Sequence, residues 1–410
     1  MKASELYSMG KPVYSLEVFP PRNGESMDAI LDTLDNLMPF NPAFISITGG
    51  ALGSLRGGTI AIAAGLKEKY GIECIPHFTC VNKSKQDIEN LLMEMKFNEI
   101  ENVFALRGDP PMGQKEFKPH PQGHRYASEL VKQIKLLNEG EYILSSVEKN
   151  YKASPTNFGI AVAGYPNGHP ECLDRDEDIK HLKIKVDNGA DYIVTQLFFD
   201  TEVFLEFVEN AKKIGIDIPI IPGVMPMDKY GQIKFVSKQM GIEIPKKLND
   251  KLESYKDDND AIGKILEEHT LSMCKKLMEQ GAPGIQFFTM DKPEGTKKIL
   301  QELCKEEKAM ATKSVTGPSD FKSLNRALEI VFSKNYENKN LLEIKAIIND
   351  NLKECADKYY NGNVDVLVEN ELCDLIGIGP VNPEHPRSIY MYVAEKIFKF
   401  YQQKTYNQFA

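Results

Sequence analysis

At 410 residues the chain exceeds one average domain, and its 42% hydrophobic and 27% charged residues allow a large core and exclude a disordered polymer. A formal net charge of −9 argues against a general binder of phosphate backbones, so no nucleic-acid partner is expected. No stretch approaches the roughly 20 apolar residues of a membrane span, the opening MKASELYSMGKPV carries no leader-like apolar run, and the seven cysteines form no C-x-x-C pair or zinc spacing, so a soluble, cytoplasmic protein with no metal and no membrane partner is expected.

Eight short runs rich in β-branched and aromatic residues follow in order, beginning near Val13, Phe44, Glu73, Asn102, Phe158, Asp191, Ile218 and Gly284. Helical spacing fills the gaps, as in Ala127–Ile134, Ile179–Val186 and Val203–Ala211. Such alternation predicts an α/β chain with a parallel sheet, because parallel neighbours need a crossover. Eight units point to a closed (β/α)8 TIM barrel over residues 1–305. An open doubly wound sheet is the rival, but no G-x-G-x-x-G turn follows the first run. After Cys304 the texture turns polar, and residues 306–322, with Gly317 and Pro318, read as a linker. Residues 323–410 read as a small, mainly helical C-terminal appendage. Its helical spacing falls at Leu324–Phe332, Leu341–Tyr360 and Ser388–Tyr401, with a turn-rich stretch at 377–386.

In a barrel of this kind the chemistry sits at the carboxyl ends of the strands. The first run, Tyr14-Ser-Leu-Glu-Val-Phe19, stops at Pro20-Pro21, and alternation puts Ser15, Glu17 and Phe19 on one face. A carboxylate among Leu16, Val18 and Phe19 would lose hydration and become a proton donor; its plainer reading is a Glu turned outward at a strand end. The second run ends Ser46-Ile-Thr48, and the third holds His77. The fourth ends Leu106-Arg107-Gly108-Asp109, where a cation, a glycine and an anion meet; a surface ion pair is the ordinary explanation. The fifth leads into Ala163-Gly-Tyr165-Pro-Asn-Gly-His169, and the next helix aligns Asp178, His181 and Lys185 on one face, a spacing also common in solvated stripes. The sixth ends Thr195-Gln196-Leu-Phe-Phe199, an amide among aromatics that suits a flat heterocycle through paired donor and acceptor.

Taken together, Glu17 with Phe19-Pro-Pro21, Ala105-Leu-Arg-Gly-Asp-Pro110, Ala163-Gly-Tyr-Pro-Asn-Gly-His-Pro-Glu171, Thr195-Gln-Leu-Phe-Phe199 and Ile221-Pro-Gly223 resemble, in order and spacing, the methylenetetrahydrofolate reductase family over about residues 10–305. The resemblance implies a (β/α)8 barrel holding FAD that reduces 5,10-methylenetetrahydrofolate to 5-methyltetrahydrofolate with NADH or NADPH, feeding one-carbon metabolism and methionine synthesis. It implies that nicotinamide and folate take turns on the flavin. By the same resemblance Glu17 is the general acid that opens the folate ring, and Asp109 is the carboxylate beside flavin and pterin. Gln196 reads the pterin edge, with Gln232 assisting. Thr48, His77, Arg107, Gly108, Asp109, Tyr126, Ala127, Ala163, Tyr165, His169, Asp178, His181 and Lys185 stand at cofactor-contacting positions, and Ala190 at a packing position behind the flavin. Where family members often carry Tyr-Thr-Leu-Asn-Arg, this chain has Phe288-Thr-Met-Asp-Lys292, so Lys292 keeps the cation for the folate's acidic tail but loses the guanidinium fork. Assembly as a homo-oligomer is expected. The alternatives are a flavin-free pterin-binding barrel that moves a methyl group, which would be colourless, and a non-catalytic descendant, which would not bleach with NAD(P)H.

Overall fold

The computed structural model describes residues 2–314 apart from 8–11, 50–56, 111–112, 115, 147, 149–152 and 173. The chain divides into two compact units, Met1–Lys305 and Glu306–Ala410. The helices and turns expected in 323–410 lie outside the described residues. Of the expected linker, residues 306–314 are helical, because Lys, Glu, Ala and Met there are strong helix formers.

The elements alternate as the periodicity predicts. They run α1 (Ala3–Leu6), β1 (Val13–Val18), α2 (Asp28–Leu37), β2 (Phe44–Ile47), α3 (Thr59–Tyr70), β3 (Glu73–Thr79), α4 (Lys85–Phe97), β4 (Asn102–Leu106), α5 (Ala127–Asn138) and β5 (Gly159–Gly164). Then follow α6 (Arg175–Asp187), β6 (Tyr192–Thr195), α7 (Thr201–Lys213), β7 (Ile220–Ile221), β8 (Gly223–Val224), α8 (Tyr230–Met240), α9 (Lys246–Ser254), α10 (Asn259–Glu279), β9 (Gly284–Phe288) and α11 (Pro293–Ser314). Local chemistry sets the helix starts. Ser84 and Asp87 form a reciprocal capping box on α4, and Asp200 caps α7 through the Glu202 N–H. Each helix then buries one stripe; in α5 it is Leu130, Val131, Ile134 and Leu137.

All strand pairings are parallel, in the order β7-β6-β5-β4-β3-β2-β1-β9-β8. The two ends of that order are one stretch of chain, since β7 and β8 flank Pro222. Residues 220–221 pair with β6 and residues 223–224 with β9, so the seventh strand closes the barrel in two halves. Proline has no N–H to give a ladder. Its carbonyl still accepts from the Gln286 N–H at 3.0 Å, and the Gly223 N–H turns to Thr195 Oγ1 at 3.1 Å.

At the amino end of the barrel α1 acts as a plug. Ala3 and Tyr7 pack with Val13, Phe44, Phe104, Ala161 and Tyr192, and the Ala3 N–H donates to Asn102 Oδ1 at 2.8 Å. Leu16 and Val18 face the other way, into the apolar layer shared with Ile30 and Leu34 of α2. Higher in the barrel the filling changes. Ser15, Glu17, Ser46, Thr48 and Gln286 are all buried there, where parallel strands covered on both faces ordinarily carry branched apolar side chains. That polar interior marks the end of the barrel where the site must be sought. No helix among the described residues is long and apolar enough to cross a membrane.

Candidate active site

Glu17 lies on β1 one residue before the strand ends, and its register partners are Ser46 on β2 and Phe288 on β9. It is 7% exposed. The apolar environment expected from its sequence neighbours is not what surrounds it, because alternation sends Leu16 and Val18 outward. Its partners come from other strands. Gln286 Nε2 donates to Glu17 Oε2 at 3.0 Å, Ser46 Oγ donates to the same oxygen at 3.3 Å, and His77 Nε2 stands 3.2 Å from it. The His77 contact is close but off the line of a hydrogen bond, so this ring nitrogen is buried without one. The loop after β9 fixes the backbone: Thr289 Oγ1 donates to the Glu17 carbonyl at 2.7 Å, and the Phe19 N–H donates to Asp291 Oδ1 at 2.9 Å. Met290 and Asp291 both take φ +53°, a left-handed conformation uncommon for such residues and typical of functional rims.

Four more buried polar atoms lack partners among the described residues; Tyr7 Oη at the amino end and Thr33 Oγ1 on α2 lie away from the mouth, and the other two lie at it. Thr48 Oγ1, just past β2, and Asn167 Oδ1, just past β5, belong to the same carboxyl end as His77 on β3. Buried orphans of this kind are costly unless a ligand satisfies them.

Beyond β4, Arg107 and Asp109 do not form the pair that their proximity in sequence predicts. The Arg107 fork takes Glu171, with Nη1 to Oε2 at 2.6 Å and Nη2 to Oε1 at 2.7 Å, and its carbon lies 4.9 Å from the Phe117 ring centre. A planar guanidinium matches a carboxylate bidentately, and Glu171 presents both oxygens to it. The exposed Asp109 contributes negative charge that raises the Arg107 and Tyr165 pKa values. Between them Gly108 sits at φ +89°, and a Cβ there would come 2.9 Å from Val81 Cγ1 and 3.0 Å from Thr79 Cβ. Only glycine suits that turn.

Next to Arg107 lies a group of rings and charges from β5 and α6. The Tyr165 and His169 rings meet edge to face at 4.6 Å. Burial raises Tyr165 to about 12, and the charges of Asp109 and Asp178 add to the shift. His169 is held below the ordinary histidine range by burial and by the Arg107 charge. Asp178 accepts the His169 N–H at 3.2 Å, and burial raises its carboxyl. Lys185 donates to the Ala163 carbonyl at 2.8 Å and is pushed down to about 8, mainly by burial. Cys172, Asp178 and His181 bring one donor atom each within 4.8 Å of one another, on this same side of the rim.

The remaining expected residues divide. Ala127 is buried at the first turn of α5, and Ala190 is buried before β6. Gln196, just past β6, accepts the Leu197 N–H on its Oε1 at 2.9 Å, so its NH2 end is the one left to meet a ligand. Gln232 is half-buried in the first turn of α8. Tyr126 is 52% exposed at the start of α5, with Arg125 over its ring at 5.5 Å. His181 is exposed beside Glu177, and Lys292 is exposed past β9. Sequence reading missed Ser46, Glu171 and Gln286. For Ser46 and Gln286 the signal was available, since a Ser and a Gln at inward positions of core strands break the apolar rule.

A family model described as methylenetetrahydrofolate reductase matches residues 2–304. The Arabidopsis thaliana protein named methylenetetrahydrofolate reductase (NADH) 1 is 34% identical over 311 residues, which is 74% of this chain and 50% of that one. The Escherichia coli K12 protein named 5,10-methylenetetrahydrofolate reductase is 32% identical over 289 residues, 70% of this chain and 90% of that one. This chain therefore spans about half the length of its plant relative and most of the bacterial one. Among solved structures, an uncharacterized Clostridium thermocellum protein, described as binding two copies of 5-methyl-5,6,7,8-tetrahydrofolic acid, superposes with a TM-score of 0.50 at 14% identity, covering 75% of this chain and 99% of its own. At that identity the likeness speaks for the fold alone.

Proposed function

The chain belongs to the methylenetetrahydrofolate reductase family, and from that premise we propose that it reduces 5,10-methylenetetrahydrofolate to 5-methyltetrahydrofolate in the cytoplasm, with FAD bound at the barrel mouth and a reduced nicotinamide nucleotide as donor. The observation that carries the reading is Glu17: a buried carboxyl at the mouth, in a ring of polar side chains that no folding requirement explains. The orphaned Thr48 Oγ1, His77 Nε2 and Asn167 Oδ1, together with the glycine turn at 108, fit a polar heterocyclic cofactor that supplies the missing partners. Bound FAD would supply hydride transfer.

This chain's own residues divide the rest of the work. Arg107, His169 and Lys185 would hold the cofactor's anionic part, and Tyr165 and Ala163 its neighbouring faces. Glu17 gives a proton to a folate ring nitrogen as the C–N bond to the one-carbon unit breaks, so the nitrogen leaves neutral and the carbon becomes an iminium. Negative charge at Asp109 stabilises that cation. Gln196 offers its NH2 end to the pterin edge, and Lys292 offers a point charge to the folate carboxylates. The balance is one hydride and one proton added to the substrate.

Anaerobic addition of NADH or NADPH should bleach the purified yellow protein, and methylenetetrahydrofolate should restore the colour with one equivalent of 5-methyltetrahydrofolate formed. A colourless protein, or one whose colour folate does not restore, overturns the reading.

Flavin affinity should weaken as pH rises through and above about 8, because Lys185 loses its proton and the anionic cofactor loses a cation. The sign for the flavin-free fold is opposite. A lysine pKa lowered on folding means that the unfolded chain binds more protons between about 8 and the ordinary lysine value, so stability rises with pH across that window. Flavin titrations from pH 7 to 10 check this, and an affinity unchanged over that range removes Lys185 from the phosphate contact.

Residues 2–314 should keep the colour when the chain is cut after Ser314. The bacterial relative, matched over 90% of its own length, aligns with the barrel residues and not with the C-terminal ones. Flavin absorbance of the truncated protein is the measurement, and a colourless soluble product would make the C-terminal residues part of the site.

A further inference from the structure

We infer that Gln286 is a positioning residue that dictates which oxygen of Glu17 carries the transferable proton. The inference rests on the reading of Glu17 as the acid. Gln286 is wholly buried in β9, where register places it beside Ser15, one layer below Glu17. Its Nε2 donates both to Glu17 Oε2 and to Ser46 Oγ at 3.0 Å, and its Oε1 accepts from Ser15 Oγ at 3.3 Å. Ser46 Oγ donates to the same Glu17 Oε2 at 3.3 Å, and His77 Nε2 stands 3.2 Å from it.

The side-chain hydrogen bonds of the Glu17 carboxyl among the described residues, and its His77 contact, therefore all fall on Oε2. A neutral carboxyl carries a single O–H, and an amide NH2 donates but cannot accept. A proton on Oε2 could turn to Ser46 Oγ, but it would make Oε2 a hydroxyl oxygen, a poorer acceptor than a carbonyl oxygen for the Gln286 and Ser46 hydrogens that meet it. On Oε1 it meets none of them, and Oε2 keeps its donors. The proton therefore resides on Oε1, with Oε2 anchored in the barrel. Delivering the proton leaves a carboxylate whose new charge falls on a group already receiving hydrogen bonds, so no reorganisation is needed at that moment. Gln286 does this without titrating, whereas a carboxyl at position 286 would share the proton with Oε2 and withdraw it from Oε1.

The test uses three variants of the flavin-loaded protein and the rate at which methylenetetrahydrofolate reoxidises the reduced flavin. Gln286→Met keeps the volume and removes the donor, Gln286→Glu keeps the shape and supplies an acid, and Gln286→His keeps a ring N–H. Met and Glu should lower the limiting rate roughly 10- to 100-fold with the folate concentration for half-maximal rate changed less than about twofold, and His should recover most of the loss. In a Glu17→Gln background, Gln286→Met should cost nothing further, since a residue acting through Glu17 has nothing left to act on. Equal limiting rates in wild type, Met and Glu would overturn the inference, as would an equal further loss in the Glu17→Gln background. If Met does not fold, the contrast between His and Glu decides alone. Should Glu17→Gln itself reduce folate at the wild-type rate, it is the assignment of Glu17 as the acid that fails; should Glu17→Gln be slow while Gln286→Met and Gln286→Glu are fast, only the role of Gln286 fails.

Discussion

Glu17→Gln should slow flavin reoxidation by methylenetetrahydrofolate by roughly 10²- to 10⁴-fold while the protein still binds flavin and is bleached by NAD(P)H. The substitution is isosteric, and the new amide can aim its carbonyl at Gln286 Nε2 and Ser46 Oγ, the donors that now meet Oε2. The backbone there is held independently, by Thr289 Oγ1 on the Glu17 carbonyl and by the parallel pairing of β1 with β2 and β9. Folding should therefore change little, on the order of 1 kcal/mol. What disappears is the transferable proton, which only the folate step needs. Anaerobic stopped-flow absorbance separates the two half-reactions. Equal losses in both would mean that Glu17 supports the fold or the flavin rather than the acid step.

Gly223→Ala should destabilise the barrel by about 3 kcal/mol, because it overpacks the seam where the cylinder closes. A Cβ at 223 would stand 2.2 Å from the Thr195 carbonyl oxygen and 2.5 and 2.7 Å from ring atoms of Phe288. Phe288 can turn, but the carbonyl belongs to the β6 backbone and cannot retreat without parting β6 from the seventh strand. That strand has only two paired residues on each side, so little ladder remains to absorb a shift. At roughly 2–4 °C per kcal/mol for a domain of this size, the melting temperature should fall by about 6–12 °C. Gly231→Ala is the matched control. It lies in α8 with nothing within 4 Å of its Cβ position and should be neutral or stabilising by up to about 1 kcal/mol. Calorimetric melting of both variants decides. If they melt alike, closure does not depend on the missing side chain.

Much of the architecture was legible along the chain. Strand starts at Val13, Phe44, Glu73, Asn102 and Gly284 coincide with the expected runs, and α5, α6 and α7 contain the expected helical stretches. These features are encoded locally, by residue period, capping side chains and turn formers. Glu17, Thr48, Arg107, Asp109 and Gln196 also fell where parallel strands stop, since motif and strand end are neighbours in sequence, whereas Asp178, His181, Lys185 and Gln232 lie on helices. The environment of each residue was not legible. Glu17 was expected among apolar neighbours, yet in a strand the next residue always faces away, and its actual partners lie 29 and 269 positions along the chain. Arg107 was expected to meet Asp109 two residues on and instead reaches Glu171, 64 residues away.

The sequence by itself therefore determined the order of strands and helices, the closed parallel barrel and the end of it that carries polar side chains, because period and punctuation act over a few residues. Only the tertiary structure decided that the seventh strand closes in two halves around Pro222, that α1 plugs the amino end, and that Glu17 is held through one oxygen by Ser46 and Gln286. Barrel closure brings β1 against β2 on one side and β9 on the other, and no local pattern specifies which side chains then meet at hydrogen-bond distance.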